Sequence, residues 1–235
     1  MKYSIVIPCY NESENLDSLI KTLKKVSYFD KAEFILVENG SVDNSRECFE
    51  KNKNFDNKHF KKVYVDKNQG YGYGLLQGLK KAKGKYVGWL HADLQVNPEY
   101  MADLIKYVEE NKDSEKLFLK GKRKNRSVLD YIFTGGMTVY ETILFGKKLN
   151  DIGAIPVLFN RELLDTFEKP PYDFSIELYS FYKAKSNNYF VKRFPVILET
   201  RKKGSSSWNK GFSSKIKQSK IIMNDSIQIR KGVYK

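Results

Sequence analysis

The chain has 235 residues, 41% hydrophobic and 30% charged, a length and balance that exclude a disordered or fibrous polypeptide and point to one sizeable folded unit. Lys and Arg number 42 against 28 Asp and Glu, a net charge of +14, and the excess is uneven: from Lys192 onward twelve basic residues face two acidic ones. This bias suits a phosphorylated ligand or an anionic membrane surface. Nucleic acid is not expected, because beyond Phe194 only Trp208, Phe212 and Tyr234 interleave aromatics with the basic tail.

Cys9 and Cys48 have neither metal-ligand spacing nor disulfide density, which predicts inert thiols in a reducing, cytoplasmic compartment. The opening MKYSIVIPCYNE turns polar too early for a secretory signal, and no stretch reaches the roughly 18 apolar residues of a spanning helix. The nearest approach, Leu129 to Phe145, holds Asp130, Gly135, Gly136 and Glu141, so it suits lying on a bilayer rather than crossing one.

Short β-branched or aromatic runs alternate with amphipathic segments, the pattern of βαβ units around a mostly parallel sheet. Strands are predicted near Tyr3–Pro8, Glu33–Val37, Lys62–Val65, Tyr86–Leu90 and Leu117–Lys120. Helical spacing recurs at Leu16, Leu19, Ile20 and Leu23, at Leu75, Leu79 and Ala82, and at Met101, Leu104, Ile105 and Val108. Asn97 and Pro98 read as the cap and first position of the third of these helices. Lys120–Arg126 (KGKRKNR), with five basic residues in seven, predicts a mobile, solvated or phosphate-contacting loop between two lobes. Beyond it come a helix over 127–147, a strand near Ile155–Phe159, a helix over 175–185 and a strand near Tyr189–Leu198. Residues 209–235 read as a basic amphipathic tail, with Phe212, Ile216, Met223 and Ile227 on one side and Lys215, Lys217 and Lys220 flanking them.

Five motifs carry chemistry. The first strand runs into Pro8, Cys9, Tyr10, Asn11 and Glu12, and the second into Glu38, Asn39, Gly40, Ser41, Val42 and Asp43. A carboxylate at the carboxyl end of a parallel strand can accept hydrogen bonds from a ribose or base, because ligands of open α/β sheets bind at that edge. Asn68, Gly70, Gly72 and Gly74 open a helix with backbone space for a close ligand and amides that favour anions. Their spacing is neither a dinucleotide fingerprint nor a Walker loop. After the fourth strand, His91, Ala92, Asp93, Leu94 and Gln95 alternate so that His91, Asp93 and Gln95 would converge if extended. Asp151 with the Gly153–Pro156 turn, Asp173 and Glu177, and Arg201, Gly204, Ser206 and Trp208 complete the set.

In this order and spacing the motifs resemble family 2 glycosyltransferases, nearest the branch of polyprenyl-phosphate sugar transferases and related surface-polysaccharide enzymes. The resemblance implies a nucleotide-diphospho-sugar transferase (GT-A) fold, an α/β architecture with a mixed, mostly parallel sheet flanked by helices. It would span residues 1–208, with a nucleotide half to about 120 and an acceptor half beyond. It also implies inverting transfer of a sugar from a UDP- or GDP-linked donor to a polyprenyl phosphate or glycan acceptor, peripheral on the inner face of the membrane.

Pro8, Tyr10, Glu12, Glu38, Gly40, Ser41, Asn68, Gly70, Gly74, His91, Ala92, Arg201, Ser206 and Trp208 then fall on the donor side and Asp151 on the acceptor side. Asp93, His91 and Gln95 become ligands of Mn²⁺ or Mg²⁺. Asp173 and Glu177 become candidates for the base that takes the acceptor proton. Three positions depart from the family pattern: Asn39 and His91 where it has Asp, and Ser207 where relatives often have Lys. The His91 imidazole favours manganese over magnesium. Two other readings stand beside this one: a sugar-phosphate nucleotidyltransferase, against which the expected N-terminal glycine-rich loop is missing, and a non-catalytic nucleotide-sugar or lipid-binding module.

Overall fold

In the computed structural model, which describes residues 1–55, 57–111, 116–125, 127–199 and 212–232, the apolar runs are strands buried on both faces. Strand β1 (Tyr3–Cys9) and strand β2 (Ala32–Asn39) are buried at every position, because helices cover both sides of the sheet and no face is left for polar alternation. Odd residues of β1 (Tyr3, Ile5, Ile7) pack with helix α1 (Leu16–Leu23) and helix α4 (Tyr100–Glu110). Val6 turns to the opposite layer with Leu75 and Leu79 of helix α3 (Tyr71–Leu79). Helix α2 (Ser45–Lys51) adds Phe49 to the first layer.

Strands β3 (Phe60–Val65), β4 (Tyr86–Trp89), β5 (Leu117–Arg123), β6 (Val157–Asn160) and β7 (Phe190–Val196) complete one sheet in the order β3-β2-β1-β4-β6-β5-β7. Only β6 runs antiparallel, against both β4 and β5, so the sheet is mixed and mostly parallel, as the alternation predicts. Pro8 is tolerated in this central strand because the β1–β4 ladder ends at Val6–Trp89, before the missing N–H would be needed on that side. Helix α4 begins at Tyr100, two residues beyond Pro98. Asn97 still shapes the turn into it, its Oδ1 accepting the Glu99 amide at 3.0 Å.

The basic run behaves differently from expectation. Lys120 to Arg123 belong to β5, and Lys120 is completely buried. The reason is a partner that local composition does not reveal, Glu177 on helix α6 (Ile176–Ser186).

Helix α5 (Val128–Phe145) and helix α7 (Phe212–Lys231) pack together, with Tyr140 donating to Met223 O at 3.1 Å and Arg230 to Leu144 O at 3.3 Å. The inward face of α7 carries Ser226 and Ile229, whereas Met223 and Ile227, of the stripe expected either to pack on the body or to lie on lipid headgroups, are 37% and 38% exposed. The side chains of Phe212, Lys215, Ile216 and Lys217 lie outside the described residues. What selects the inward face is Glu141, fully buried on α5, whose Oε1 accepts the Ser226 hydroxyl at 2.6 Å while Oε2 has no partner.

Burial pushes the Glu141 carboxyl up to about 7, the Ser226 bond only partly opposing it. Between about pH 4.5 and 7 the folded chain therefore holds a proton that the unfolded chain has released, and stability falls as pH rises through that window. Glu141→Gln is expected to add about 1–3 kcal/mol at pH 8 and much less at pH 5, read from thermal melts at the two pH values. Equal effects at both would show that this carboxyl does not titrate as described.

Candidate active site

At the carboxyl edge the loops after β1 and β2 are sewn together. Asn11, held at φ 55°, accepts the Val42 amide through Oδ1 at 2.9 Å, and its own amide donates to Ser41 Oγ at 3.1 Å. The Glu12 amide donates to Ser45 Oγ and the Ser13 amide to Asp43 Oδ2. Glu12 spends Oε2 on Asn15 Nδ2, at the approach to α1, and Tyr10 stays 43% exposed on the rim. Ser41 donates its amide to Glu38 Oε1 at 2.7 Å, leaving the buried Oε2 of Glu38 without a hydrogen bond, although Arg46 approaches to 3.8 Å. Gly40 takes a left-handed φ of 67°, and a Cβ there would lie 2.3 Å from the Asn68 amide nitrogen.

Asn39 shows what an amide does where the family pattern has a carboxylate. Its Nδ2 donates to Gly70 O at 3.1 Å, a bond no ionised Asp can make. Asn68 returns the link, donating to Asn39 O at 2.7 Å and accepting the Gly70 amide. The glycine-rich segment therefore serves a purpose other than ligand approach. A Cβ on Gly70 would meet Tyr172 O at 2.3 Å, one on Gly72 would meet Pro171 O at 2.5 Å, and one on Gly74 would meet the Asn39 side chain. These glycines let the 171–173 backbone lie against α3, where the Tyr73 amide donates to Tyr172 O at 2.9 Å. Of the residues expected on the donor side, Gly70 lies against Tyr172, Gly74 against the Asn39 side chain, and Asn68 bonds to Asn39 and Gly70.

Past β4 the chain does not stay extended: Leu94 adopts a φ of 55°, so His91, Asp93 and Gln95 do not line up by strand alternation. Asp93 Oδ1 accepts the Gln95 amide at 3.1 Å, and Gln95 Nε2 turns to Glu199 O at 3.4 Å. Ala92 is buried beneath this turn. His91 packs edge-on against Tyr71 (5.4 Å between centroids) and near Phe174 (6.1 Å), and its buried Nε2 has no hydrogen-bond partner. No group of three His, Cys, Asp or Glu gathers to hold a metal among the described residues. The unpartnered imidazole nitrogen of His91 and the half-buried carboxylate of Asp93, two residues on, are groups that would suit a divalent cation.

Glu177, expected to be a candidate base, is completely buried with both oxygens engaged. Trp89 Nε1 donates to Oε1 at 2.7 Å, the Tyr71 hydroxyl to the same oxygen at 3.1 Å, and Lys120 Nζ to Oε2 at 2.9 Å. Burial lowers the Lys120 ammonium and lifts the Tyr71 phenol well above its ordinary value. A carboxylate that holds three donors and is closed to solvent is out of reach of an acceptor hydroxyl in this arrangement. It instead joins β4, α3, β5 and α6; Asp173, the other expected base candidate, is half-buried and accepts the Ser175 amide at 2.8 Å.

Asp151, at φ 48°, accepts Arg123 through Nε at 2.7 Å, through its terminal nitrogen and through its backbone amide at 2.9 Å, with Arg193 at 3.6 Å. Burial opposes ionisation of Asp151, but the Arg123 charge and hydrogen bonds outweigh it and hold the carboxyl below its usual range. Arg193, which also donates to Gly121 O and Asn150 O, is lowered to about 10 by burial and the neighbouring guanidinium. Two guanidiniums share this carboxylate. Sequence patterning did not single out Arg193, Tyr71 or Trp89, and it placed Lys120 and Arg123 in a basic loop rather than beside buried carboxylates. Arg201, Ser206 and Trp208 lie outside the described residues.

The loops that follow β1 and β2, the 68–74 segment and the 171–173 backbone are linked to one another at one edge of the sheet, and residues 4–137 match the sequence model described as Glycosyl transferase family 2. The chain belongs to that family. It is 31% identical over 168 residues to the undecaprenyl-phosphate 4-deoxy-4-formamido-L-arabinose transferase of Proteus mirabilis, and 30% identical over 171 residues to its counterpart in Salmonella choleraesuis. Each match takes in 70% of this chain and 50% of the relative, so the chain spans about half the length of these proteins.

Among solved structures, glucosyl-3-phosphoglycerate synthase from Mycobacterium tuberculosis, in complex with Mn²⁺, UDP and glucosyl-3-phosphoglycerate, aligns with a TM-score of 0.70. The identity is 15%, covering 99% of this chain and 80% of that one. TarS of S. aureus bound to UDP-GlcNAc aligns at 0.62 with 20% identity, covering 97% and 67%. The fold is GT-A, as the motifs implied.

Proposed function

We propose that this protein is an inverting transferase that moves a sugar from a nucleoside-diphosphate sugar to polyprenyl phosphate at a membrane surface. One observation carries the reading. Of five buried side-chain atoms without a hydrogen-bond partner among the described residues, three sit at the carboxyl ends of β2 and β4: Glu38 Oε2, Asn39 Oδ1 and His91 Nε2. Unpaired buried acceptors are costly, and a nucleotide's hydroxyl or amino donors and a cation would satisfy these. His91 and Asp93 would hold Mn²⁺ or Mg²⁺, which when bound supplies positive charge to the departing nucleoside diphosphate. Glu38 and Asn39 would orient the nucleoside, and the Asn39–Gly70 link keeps the acceptor segment at a fixed height above it.

Polyprenyl phosphate is favoured by the undecaprenyl-phosphate transferases that this chain resembles and by the excess guanidinium charge around Asp151, which suits an anionic nucleophile that needs no base. Asp173 favours a second reading, a glycan hydroxyl acceptor that gives up its proton there. A membrane surface fits the exposed stripe of Val128 (75%), Ile132 (64%), Val139 (60%) and Ile143 (78%) on α5; Ile221, Met223 and Ile227 of α7 are also exposed, as are Lys220, Arg230 and Lys231 on the same helix. No helix among the described residues is long and apolar enough to cross a membrane.

The test is thermal shift with UDP- and GDP-sugars, with and without Mn²⁺ or Mg²⁺, followed by transfer to undecaprenyl phosphate. A bound nucleotide at 100 times its Kd stabilises by about 2.7 kcal/mol. Failure of every nucleotide sugar to raise the melting temperature with either ion would overturn the reading.

A further inference from the structure

We propose that Asp225 of α7 is a positioning residue of the acceptor side, holding the Asp173–Ser175 turn in place through the Ser175 hydroxyl; the inference rests on the transferase reading above. Ser175 stands at the N-cap position of α6, where a serine ordinarily turns its oxygen to the first free amides of the helix. It makes no such cap bond. Its amide donates to Asp173 Oδ1 at 2.8 Å, and its hydroxyl donates to Asp225 Oδ2 at 2.7 Å. One serine thus bridges two carboxylates, one on the acceptor segment and one on the C-terminal helix. Asp225 is half-buried, and burial together with the charge of Asp173 raises its carboxyl above the ordinary value.

The next residue, Ser226, donates to Glu141 of α5, so α7 is clipped at consecutive positions to two elements. Between Asp173 and Ser175 lies Phe174, whose ring packs on Tyr71 at 5.2 Å and on His91 at 6.1 Å. The turn that Asp225 holds therefore shapes the wall between acceptor and donor. Loss of the clip releases Phe174 and Asp173, while Glu38, Asn39 and the β1–β2 loops, stitched by their own bonds, keep the nucleotide side intact.

The experiment compares Asp225→Ala, Asp225→Asn, Ser175→Ala and the double alanine variant. Kinetics use undecaprenyl phosphate in micelles and the UDP- or GDP-sugar that most stabilises the wild-type protein. Asp225→Ala and Ser175→Ala should each raise the KM for undecaprenyl phosphate about tenfold, with the donor KM changed less than about twofold. The double variant should be no worse than either single one. Asp225→Asn, which can still accept the serine hydroxyl, should restore the acceptor KM to within about threefold of wild type.

Additive losses, equal changes in both KM values, or no change would overturn the proposal. Hydrogen exchange provides a readout free of turnover. Amides of 173–177 should exchange faster in Asp225→Ala than in Asp225→Asn, and unchanged exchange would equally overturn it. A wild-type protein that turns over no nucleotide sugar would sink the transferase reading, while exchange would still decide whether Asp225 holds the turn.

Discussion

Replacing Asp93 by Asn is expected to abolish the Mn²⁺-dependent part of UDP binding and to lower kcat/KM by about 10²–10³-fold, roughly 3–4 kcal/mol of transition-state stabilisation. The substitution is chosen because the turn should survive it. The structural duty of Asp93 is to accept the Gln95 amide through Oδ1, and an Asn oxygen accepts the same bond. What disappears is the negative charge that complements a divalent cation beside the orphaned His91 nitrogen. Titration calorimetry of UDP with and without Mn²⁺ reads this independently of turnover. Wild-type protein should bind more tightly when the ion is present, and Asp93→Asn should bind equally in both conditions. A variant that keeps the manganese-dependent gain would remove Asp93 from the site.

The largest stability effect is expected at the buried ion pair. Lys120→Met leaves Glu177 charged, dry and short of one donor, and should cost about 3–5 kcal/mol in urea unfolding. The double variant Lys120→Met, Glu177→Gln should recover a large part of that loss. It removes both charges while a Gln oxygen still accepts from Trp89 and Tyr71. Recovery of this kind is the mark of a pair that is costly to break rather than strongly stabilising when intact. Glu177→Gln alone also separates two roles. If Glu177 only ties the halves together, stability falls and turnover per folded molecule stays within a few fold. Selective loss of turnover at full stability would return it to the candidates for a base.

Much of the architecture is written in local pattern. The β1 and β2 runs, the helical stripes of α1, α3 and α4, and the motifs after β1, β2 and β4 announce a parallel α/β sheet with a nucleotide edge, because periodicity and strand-end chemistry depend on near neighbours in the chain. The motif set is also enough to name the family, since order and spacing survive where single residues such as Asn39 and His91 differ.

Tertiary structure alone decided how particular side chains are used. Lys120 looked solvated in a run of basic residues until α6 brought Glu177 to within 2.9 Å from 57 residues away. The glycines of 70–74 looked like space for a ligand, and the space is filled by the carbonyls of 171–173 at Gly70 and Gly72 and by the Asn39 side chain at Gly74. Asp225, in a helix whose pattern suggested a tail, reaches Ser175 at a separation of 50 residues. In each instance the sequence by itself established the residue's chemistry. Its partner comes from a distant segment, and only closing the sheet and docking α6 and α7 determines whether a charge or a gap faces water, ligand or another part of the chain.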